Sequence, residues 1–496
     1  MDQIMEKIRE IEKRLFAYNY ALALIGIDDA TAAPTESAEG RSEAVGLLSM
    51  EQYRLLVGPE LGALLDQAAG LNLDRQAAAE VRELRRMREQ YTKIPPEEFA
   101  ADSRVFTLSQ NAWQKAKAAS NFSLFAPWLE KVIEIRRRWA GYFAPEKDVY
   151  DVWLDYYQAG LSMAQADPFF ASLRQQIVPL LAEIQEKGRP IRTDFLTQDW
   201  PLDAQAQLSH FVMEVMGLTR EHCVLAESEH PFTSSLYDGD VRITTHYLPD
   251  NMVSNLYSVV HEGGHALYER NIRPALRYTV LGEGSCPGVH ESQSRLFENY
   301  IGRSREFLSY LWPELNRLFP AQLAGVSCEE FYRAVNLVTP SLIRTDADEL
   351  TYPLHIMIRY ELEKQLLHGE LSVQDLPAAW NRMYKEYLGI DVLDDARGVL
   401  QDIHWSGGDL GYFPSYALGT AYAAQMVEAM KKELDFEGCC ASGNLEPIKE
   451  YLARQVWQYG KELQPDELIR SGCGGEFDPS CFARYLETKY RALYAL

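Results

Sequence analysis

The stretch "VVHEGGHALYE", residues 259–269, decides how this chain is read. His261 and His265 stand four residues apart, with Glu262 between them. On a helix that spacing puts both imidazoles on one face, a turn apart, where they can share a metal ion. Glu262 points about 100° round the same helix and can reach a water beside the ion without ligating it. The flanking "SNLYSVV" and "ALY" carry no charge, so the helix can be buried and its imidazoles kept neutral. Gly263 and Gly264 work against a helix, each by about 1 kcal/mol relative to alanine. Metal binding contributes folding free energy and can offset that penalty. Glycine also lets another backbone come close. The pair therefore predicts a tightly packed neighbour, either substrate or another element of the protein.

A catalytic ion needs a third protein ligand and an open position. The next candidate stretch is "PGVHESQSRLFENYIGR" (287–303), which reads as a second helix with Glu291 near its start. The glycine- and proline-containing "LGEGSCPG" before it can turn the chain so that this helix packs back on the first. Glu291 is the first choice for the third ligand and His290 its competitor. Without the histidine pair, Glu291 would read as a carboxylate favouring a helix dipole.

The dominant period along the chain is helical. Segments 75–91, 127–143, 352–367, 376–388 and 445–463 carry apolar residues at three- and four-residue steps. The clearest strand is "GDVRITTHYLP" (239–249), rich in Val, Ile and Thr and ended by proline. The expectation is one mostly helical unit over 1–496, with room for two lobes around a cleft, and a small sheet near residues 239–249.

The net charge of −23 would repel phosphate backbones, which excludes nucleic acid as a partner. It suits solubility and substrates with basic groups. The seven cysteines form no disulfide framework, so a reducing, cytoplasmic location is expected. The N-terminus lacks a basic region followed by an apolar core and cleavage site. No apolar run approaches the roughly 20 residues of a membrane span. Asn121 in "NFS" is read as a chance glycosylation pattern.

"HEGGHALYE" together with "HESQSR" resembles the M32 family of metallocarboxypeptidases, in which the glutamate of His-Glu-Ser-Gln is the third ligand. Further motifs of that family stand in order: "HPF" at 230–232, "DVRIT" at 240–244, "IRTDAD" at 343–348 and "GVLQDIHW" at 398–405. The resemblance runs from "NAWQKAKAASNFSLFAPWLEKV" to "GYFPSYALG". It implies a mainly α-helical single-domain fold with a deep active-site groove, zinc or cobalt at one ion per subunit, and a homodimer. It implies release of single residues, with broad specificity, from peptides with a free C-terminus. Ile27 stands where the family usually has tryptophan, Ala33 where a larger residue is common, and Asp346 where glutamate is common. These departures bear on local packing and substrate preference, not on the chemistry.

Chemistry then assigns roles. The ion would be held by His261, His265 and Glu291. Glu262 would take a proton from water and deliver it to the leaving amine. The developing oxyanion needs a preorganised donor; the resemblance places 401–416 at the active site, offering His404 first, then Tyr412, with Tyr416 beside them. Gln401 and Asp402 read as orienters of His404 or of a ligand. A free carboxylate suits the planar fork of arginine, so Arg344 and then Arg242 are candidate anchors, each open to a structural ion pair, Arg344 with Asp346 or Asp348 and Arg242 with Asp240. His230 would wall off the groove end. The rival readings are an oligopeptidase or endopeptidase on a related scaffold and a silent zinc-stabilised binding scaffold. Glu262 speaks against the scaffold, because a structural site gains nothing from a base there. An aminopeptidase would want a carboxylate cluster for the substrate amine, and no distinct motif supplies one.

Overall fold

The strand expected at 239–249 is the middle of a three-stranded sheet. In the computed structural model, which describes residues 2–496, β1 (Cys223–Glu227), β2 (Thr233–Tyr237) and β3 (Asp240–Thr245) lie in the order β1-β3-β2. β3 runs parallel to β1, with Cys223 opposite Val241, and antiparallel to β2, with Thr233 opposite Ile243. It is shorter than the sequence suggested. Residues 246–249 leave the sheet because their carbonyls are taken elsewhere: Leu248 O accepts from Gln205 Nε2 at 2.7 Å and Pro249 O from Trp200 N at 2.6 Å.

Side chains alternate across a strand. Val241, Ile243 and Thr245 are fully buried, and the sheet packs on helix α1 (Met252–Arg270). Asn255 of α1 ties that contact. Its Oδ1 accepts from Thr245 Oγ1 at 2.9 Å and from Ser209 Oγ at 3.0 Å, the latter on helix Leu202–Met216. The start of α1 is fixed by Asn251, whose side chain accepts from Ser254 N, and Arg270 in the last turn complements the helix dipole. Helix α2 (Pro287–Arg295) begins on proline, where the missing N–H has no partner to lose, and continues into a π-helical stretch, Leu296–Gly302.

These elements belong to the first of two compact units, made of residues 2–88, 191–335 and 422–477. The second comprises 89–190, 336–421 and 478–496, and among the described residues it has no strand. It includes α3 (Tyr352–His368), which is buried nearly all round. His355, Arg359 and Glu363 nevertheless recur at four-residue steps along it, each 0% exposed. Groups so buried must be paired: His355 Nδ1 lies 3.0 Å from Tyr384 OH, and the partners of Arg359 and Glu363 are described below.

The expected helices at 75–91, 127–143, 352–367 and 376–388 appear as Arg75–Thr92, Ala126–Phe143, Tyr352–His368 and Leu376–Leu388. The expected helix at 445–463 does not run through. It stops at Gln455 and resumes only as a short turn, Trp457–Tyr459. Gly460 sits at φ 49°, and a Cβ there would lie against the carbonyl oxygen of Leu281. The chain turns under residue 281 instead of continuing the helix, and buried Trp457 donates to Gln293 Oε1 at 2.8 Å.

Candidate metal centre and its surroundings

Helix α1 presents His261 and His265 on one face, and α2 brings Glu291 against them. Glu291 Oε2 lies 3.8 Å from His261 Nε2 and 3.6 Å from His265 Nε2. One ligand atom from each residue falls within 4.8 Å of the others. The Nδ1 atoms point away and are occupied: His261 Nδ1 is 2.9 Å from Glu298 Oε2, and His265 Nδ1 is 2.6 Å from His290 Nδ1. Two Nε2 atoms and a carboxylate facing one point, with each Nδ1 held from behind, fit a divalent metal with an open position.

His290, the competitor for third ligand, stands behind His265 instead. Its Nε2 is 2.8 Å from Glu269 Oε1, which also accepts from Gly284 N at 2.9 Å. Despite burial, the hydrogen bond with His290 holds the Glu269 carboxyl below the usual carboxylate range. Burial, with His290 adding to it, pushes His265 well below the usual histidine range. A neutral His265 with its proton on Nδ1 leaves Nε2 as the lone-pair donor. His261, Glu269 and His265 share one side of α1 at four-residue steps, so Glu269 was open to discovery in the opening stretch itself.

The second helix contributes more than the candidate ligand Glu291. Glu291, Arg295 and Glu298 recur at steps of four and three and share a face. Arg295 Nε donates to Glu291 Oε1 at 2.7 Å, and its Nη1 to Glu298 Oε2 at 3.1 Å. Arg303 Nη2, just past the π-helical stretch, donates to Glu298 Oε1 at 3.1 Å. Despite burial, these arginines and His261 hold the Glu298 carboxyl well below its ordinary range. Two carboxylates thus sit buried beside one point because Arg295 bridges them and Arg303 pairs with Glu298 as well.

Glu262 is 7% exposed. Thr233 Oγ1 of β2 donates to its Oε2 at 2.6 Å and lies 3.0 Å from its backbone carbonyl oxygen. Burial pushes its carboxyl up, against the opposing pull of His261 and Thr233. Thr233 follows "HPF" directly, but no spacing in the sequence says that this strand lies across α1.

The two glycines differ. A Cβ on Gly263 would meet the flexible end of Met216, at 2.6 Å from its Cε. A Cβ on Gly264 would meet backbone, 2.7 Å from both Gln293 O and Ser294 Cα. The close neighbour expected from sequence is therefore α2, the helix that carries Glu291.

The remaining sequence candidates divide between the units. His230 is exposed in the loop between β1 and β2, and its carbonyl accepts from Ser228 Oγ at 2.7 Å. Arg242 pairs with Asp240 through two 2.9 Å hydrogen bonds. Its position alternates with Val241 and Ile243, so it stands on the sheet face away from α1. It borders a cavity of about 980 Å³ lined also by Leu24, Ile27, Arg41 and Val224.

In the second unit, Arg344, His404, Tyr412 and Tyr416 come together. Arg344 Nε and Nη2 donate to Asp402 Oδ1 at 3.1 and 3.0 Å, and Nη1 to Tyr352 OH at 3.2 Å. The rings of Tyr416 and Phe413 lie 5.2 and 5.5 Å from its guanidinium carbon. Its ion-pair partner is thus Asp402 and not Asp346 or Asp348; Asp348 caps the chain before α3, accepting from Leu350 N and Thr351 N at 3.0 Å each. Asp402 is shared with Arg359 of α3, whose Nε donates to Oδ2 at 2.7 Å. Gln401 Oε1 accepts from Arg344 N at 2.9 Å. Of the two expected roles of Gln401 and Asp402, orienting His404 or orienting a ligand, their hydrogen bonds do not serve the first: Gln401 and Asp402 bond to Arg344, and Asp402 also to Arg359. His404 packs between Tyr412 and Phe413, with centroids 5.6 and 4.6 Å away, and its buried Nδ1 has no hydrogen-bond partner. Burial, reinforced by Arg344, pushes its pKa down to about 4, which keeps the ring neutral.

A sequence profile of the family described as Carboxypeptidase Taq (M32) metallopeptidase matches residues 7–490. Carboxypeptidase 1 of Bacillus subtilis is 38% identical over 98% of this chain and 98% of its own. Thermostable carboxypeptidase 1 of Pyrococcus furiosus is 36% identical, with the same coverage. Among solved structures, an M32 carboxypeptidase from Deinococcus radiodurans R1 matches with a TM-score of 0.97 at 36% identity, covering 100% of both chains.

Two expectations follow from the geometry around α1. Gly264→Ala should force α2 back and carry Glu291 with it, lowering both thermal stability and zinc affinity. Gly263→Ala meets a side chain that can swing aside and should change stability by less than about 1 kcal/mol. Melting curves and zinc titration calorimetry on both variants check this, and equal behaviour of the two would refute it. His290→Ala should weaken zinc binding by about 10- to 100-fold, because His265 loses its orienting partner. Competition with a chromophoric chelator measures that, and wild-type affinity would show the partner to be idle.

Proposed function

The chain belongs to the carboxypeptidase Taq (M32) family of metallopeptidases and is a metallocarboxypeptidase, a peptide hydrolase; from that premise we propose that it removes single residues, with broad specificity, from the C-termini of peptides, using a metal at His261, His265 and Glu291 and Glu262 as base and acid. The observation that carries this reading is the convergence of those three ligand atoms with Glu262 one residue along the same helix. Zinc or cobalt suits two imidazoles and a carboxylate, at one ion per subunit. We further assign the protein to the cytoplasm and to a homodimer. No helix among the described residues is long and apolar enough to cross a membrane.

When bound, the ion supplies Lewis acidity to the scissile carbonyl and lowers the pKa of water beside it. The residues of the chain do the rest. Glu262 accepts a proton from the attacking water on its carboxylate, as the water oxygen bonds to the carbonyl carbon. Thr233 keeps that carboxylate from turning away. The proton then passes to the amide nitrogen, the carbon–nitrogen bond breaks, and a free amino acid leaves. A neutral His404, with a ring nitrogen unengaged within the chain, is suited to donate to the developing oxyanion. Tyr412 is the second donor. Arg344, its fork held flat by Asp402 and two aromatic rings, is assigned to the substrate's terminal carboxylate, ahead of Arg242. Tyr416 and His230 line the same substrate in this reading.

Glu262→Gln should retain the metal, measured by atomic absorption, while peptide hydrolysis falls by at least about 1,000-fold. On the native enzyme, a peptide with a free C-terminus should be shortened stepwise in mass spectra, and its amidated twin should be spared. Internal cleavage of both peptides at equal rates would make the enzyme an endopeptidase. Arg344→Ala should raise KM more than Arg242→Ala does; the reverse order would move the anchor to β3.

A further inference from the structure

Glu363 of α3 is a buried carboxylate to which the reaction as described gives no part. It is 0% exposed. Its Oε1 accepts from Trp405 Nε1 at 2.7 Å, and its Oε2 from Gly411 N and Tyr150 OH, both at 2.8 Å. Trp405 immediately follows His404, and Gly411 immediately precedes Tyr412. One carboxylate therefore grips the segment between those two side chains at both of its ends. The segment folds back between the grips: Asp409 N donates to His404 O at 3.0 Å, and Gly408 and Gly411 take φ of 86° and 91°. A Cβ on Gly411 would lie 2.9 Å from the backbone carbonyl carbon of Trp153, so the chain is wedged against the helix Val149–Tyr157 on its far side.

We infer that Glu363 is a positioning residue for the reaction, fixing His404 and Tyr412 relative to one another without touching substrate. The inference rests on the roles assigned above to those two side chains. A purely structural role fits less well. Burial pushes the carboxyl up to about 7 despite its three donors, and an apolar side chain of similar volume in such a place is often as stable or more so. What an apolar residue could not do is accept from Trp405 and Gly411 together. The geometry is what a reacting donor requires, since a donor displaced by about 1 Å loses much of its effect.

The test compares Glu363→Gln, His404→Ala, Tyr412→Phe and the double variant Glu363→Gln/His404→Ala as metal-saturated enzymes. Glu363→Gln keeps the volume but turns an amide N–H2 towards groups that themselves donate. The expected result is a fall in kcat of about 10-fold, with KM within about twofold, full metal content and a cooperative melt. The double variant should lose clearly less than the product of the two single losses, since both changes remove the contribution of a positioned His404. Full kcat in Glu363→Gln beside a slow His404→Ala overturns the positioning role alone, as does a multiplicative loss in the double variant. Full kcat in both His404→Ala and Tyr412→Phe overturns the roles of those two side chains, and the positioning role with them. Should Glu363→Gln not fold, Trp405→Phe removes one of the three hydrogen bonds from the other side. It should lower kcat in the same direction by less, and wild-type kcat in that variant overturns the inference.

Discussion

The metal centre depends on the closeness of two backbones. Helix α1 supplies two ligands and α2 the third, and Glu291 reaches the histidines only because α2 lies against the bare surface of α1 at Gly264. Any side chain at that position would insert between the helices where Gln293 and Ser294 now pass. The helical penalty of glycine is thus set against the short ligand distance it permits. Gly263 carries no such obligation, since its neighbour is the end of a methionine, which adapts readily.

Around that contact the charge is arranged in layers. The ligand atoms face inward, and behind them Glu298 and His290 fix the two imidazole rings. Behind these stand Arg295, Arg303 and Glu269. Each buried charge has a partner of opposite sign or a donor within hydrogen-bonding distance, which is the condition for keeping it buried. The second unit solves the same problem differently. There Asp402 sits between Arg344 and Arg359, and aromatic rings flank the guanidinium groups.

What the sequence disclosed follows from how far each signal reaches. His261 and His265 declare themselves through a four-residue step, and Glu291 through a short motif at the start of a predicted helix. The long amphipathic helices were legible because their period is local. Arg295 and Glu298 lay within reach, one and two turns beyond Glu291, but only if α2 is known to face α1 along its whole length. Thr233 and the role of His290 were not legible, because each depends on a contact between elements that no local pattern encodes. β2 escaped notice for a related reason: "TSSLY" is short and polar, and it becomes a strand only by pairing with β3. The helix expected through Gly460 failed because a single backbone approach, at Leu281, overrode a favourable periodicity. The reading of Asp402 as an orienter of His404 rested on nearness in sequence, whereas its hydrogen bonds go to Arg344 and Arg359, which are near in space.

The buried stripe on α3 bears on the order in which the chain can mature. His355, Arg359 and Glu363 precede Asp402, Trp405 and Gly411 along the chain by about forty residues or more. During synthesis α3 therefore leaves the ribosome before Asp402, Trp405 and Gly411 are made, with only Tyr150 among the side-chain partners of Arg359 and Glu363 described above already in the chain. Until the 402–411 segment arrives, packing α3 into its core would strand both groups away from water, at a cost of several kcal/mol. Burying α3 ahead of that segment is disfavoured by that cost. A polypeptide truncated before residue 402 would keep this helix in solvent, where chaperones and proteases find it. The stripe thus ties the burial of α3 to the arrival of residues 402–411.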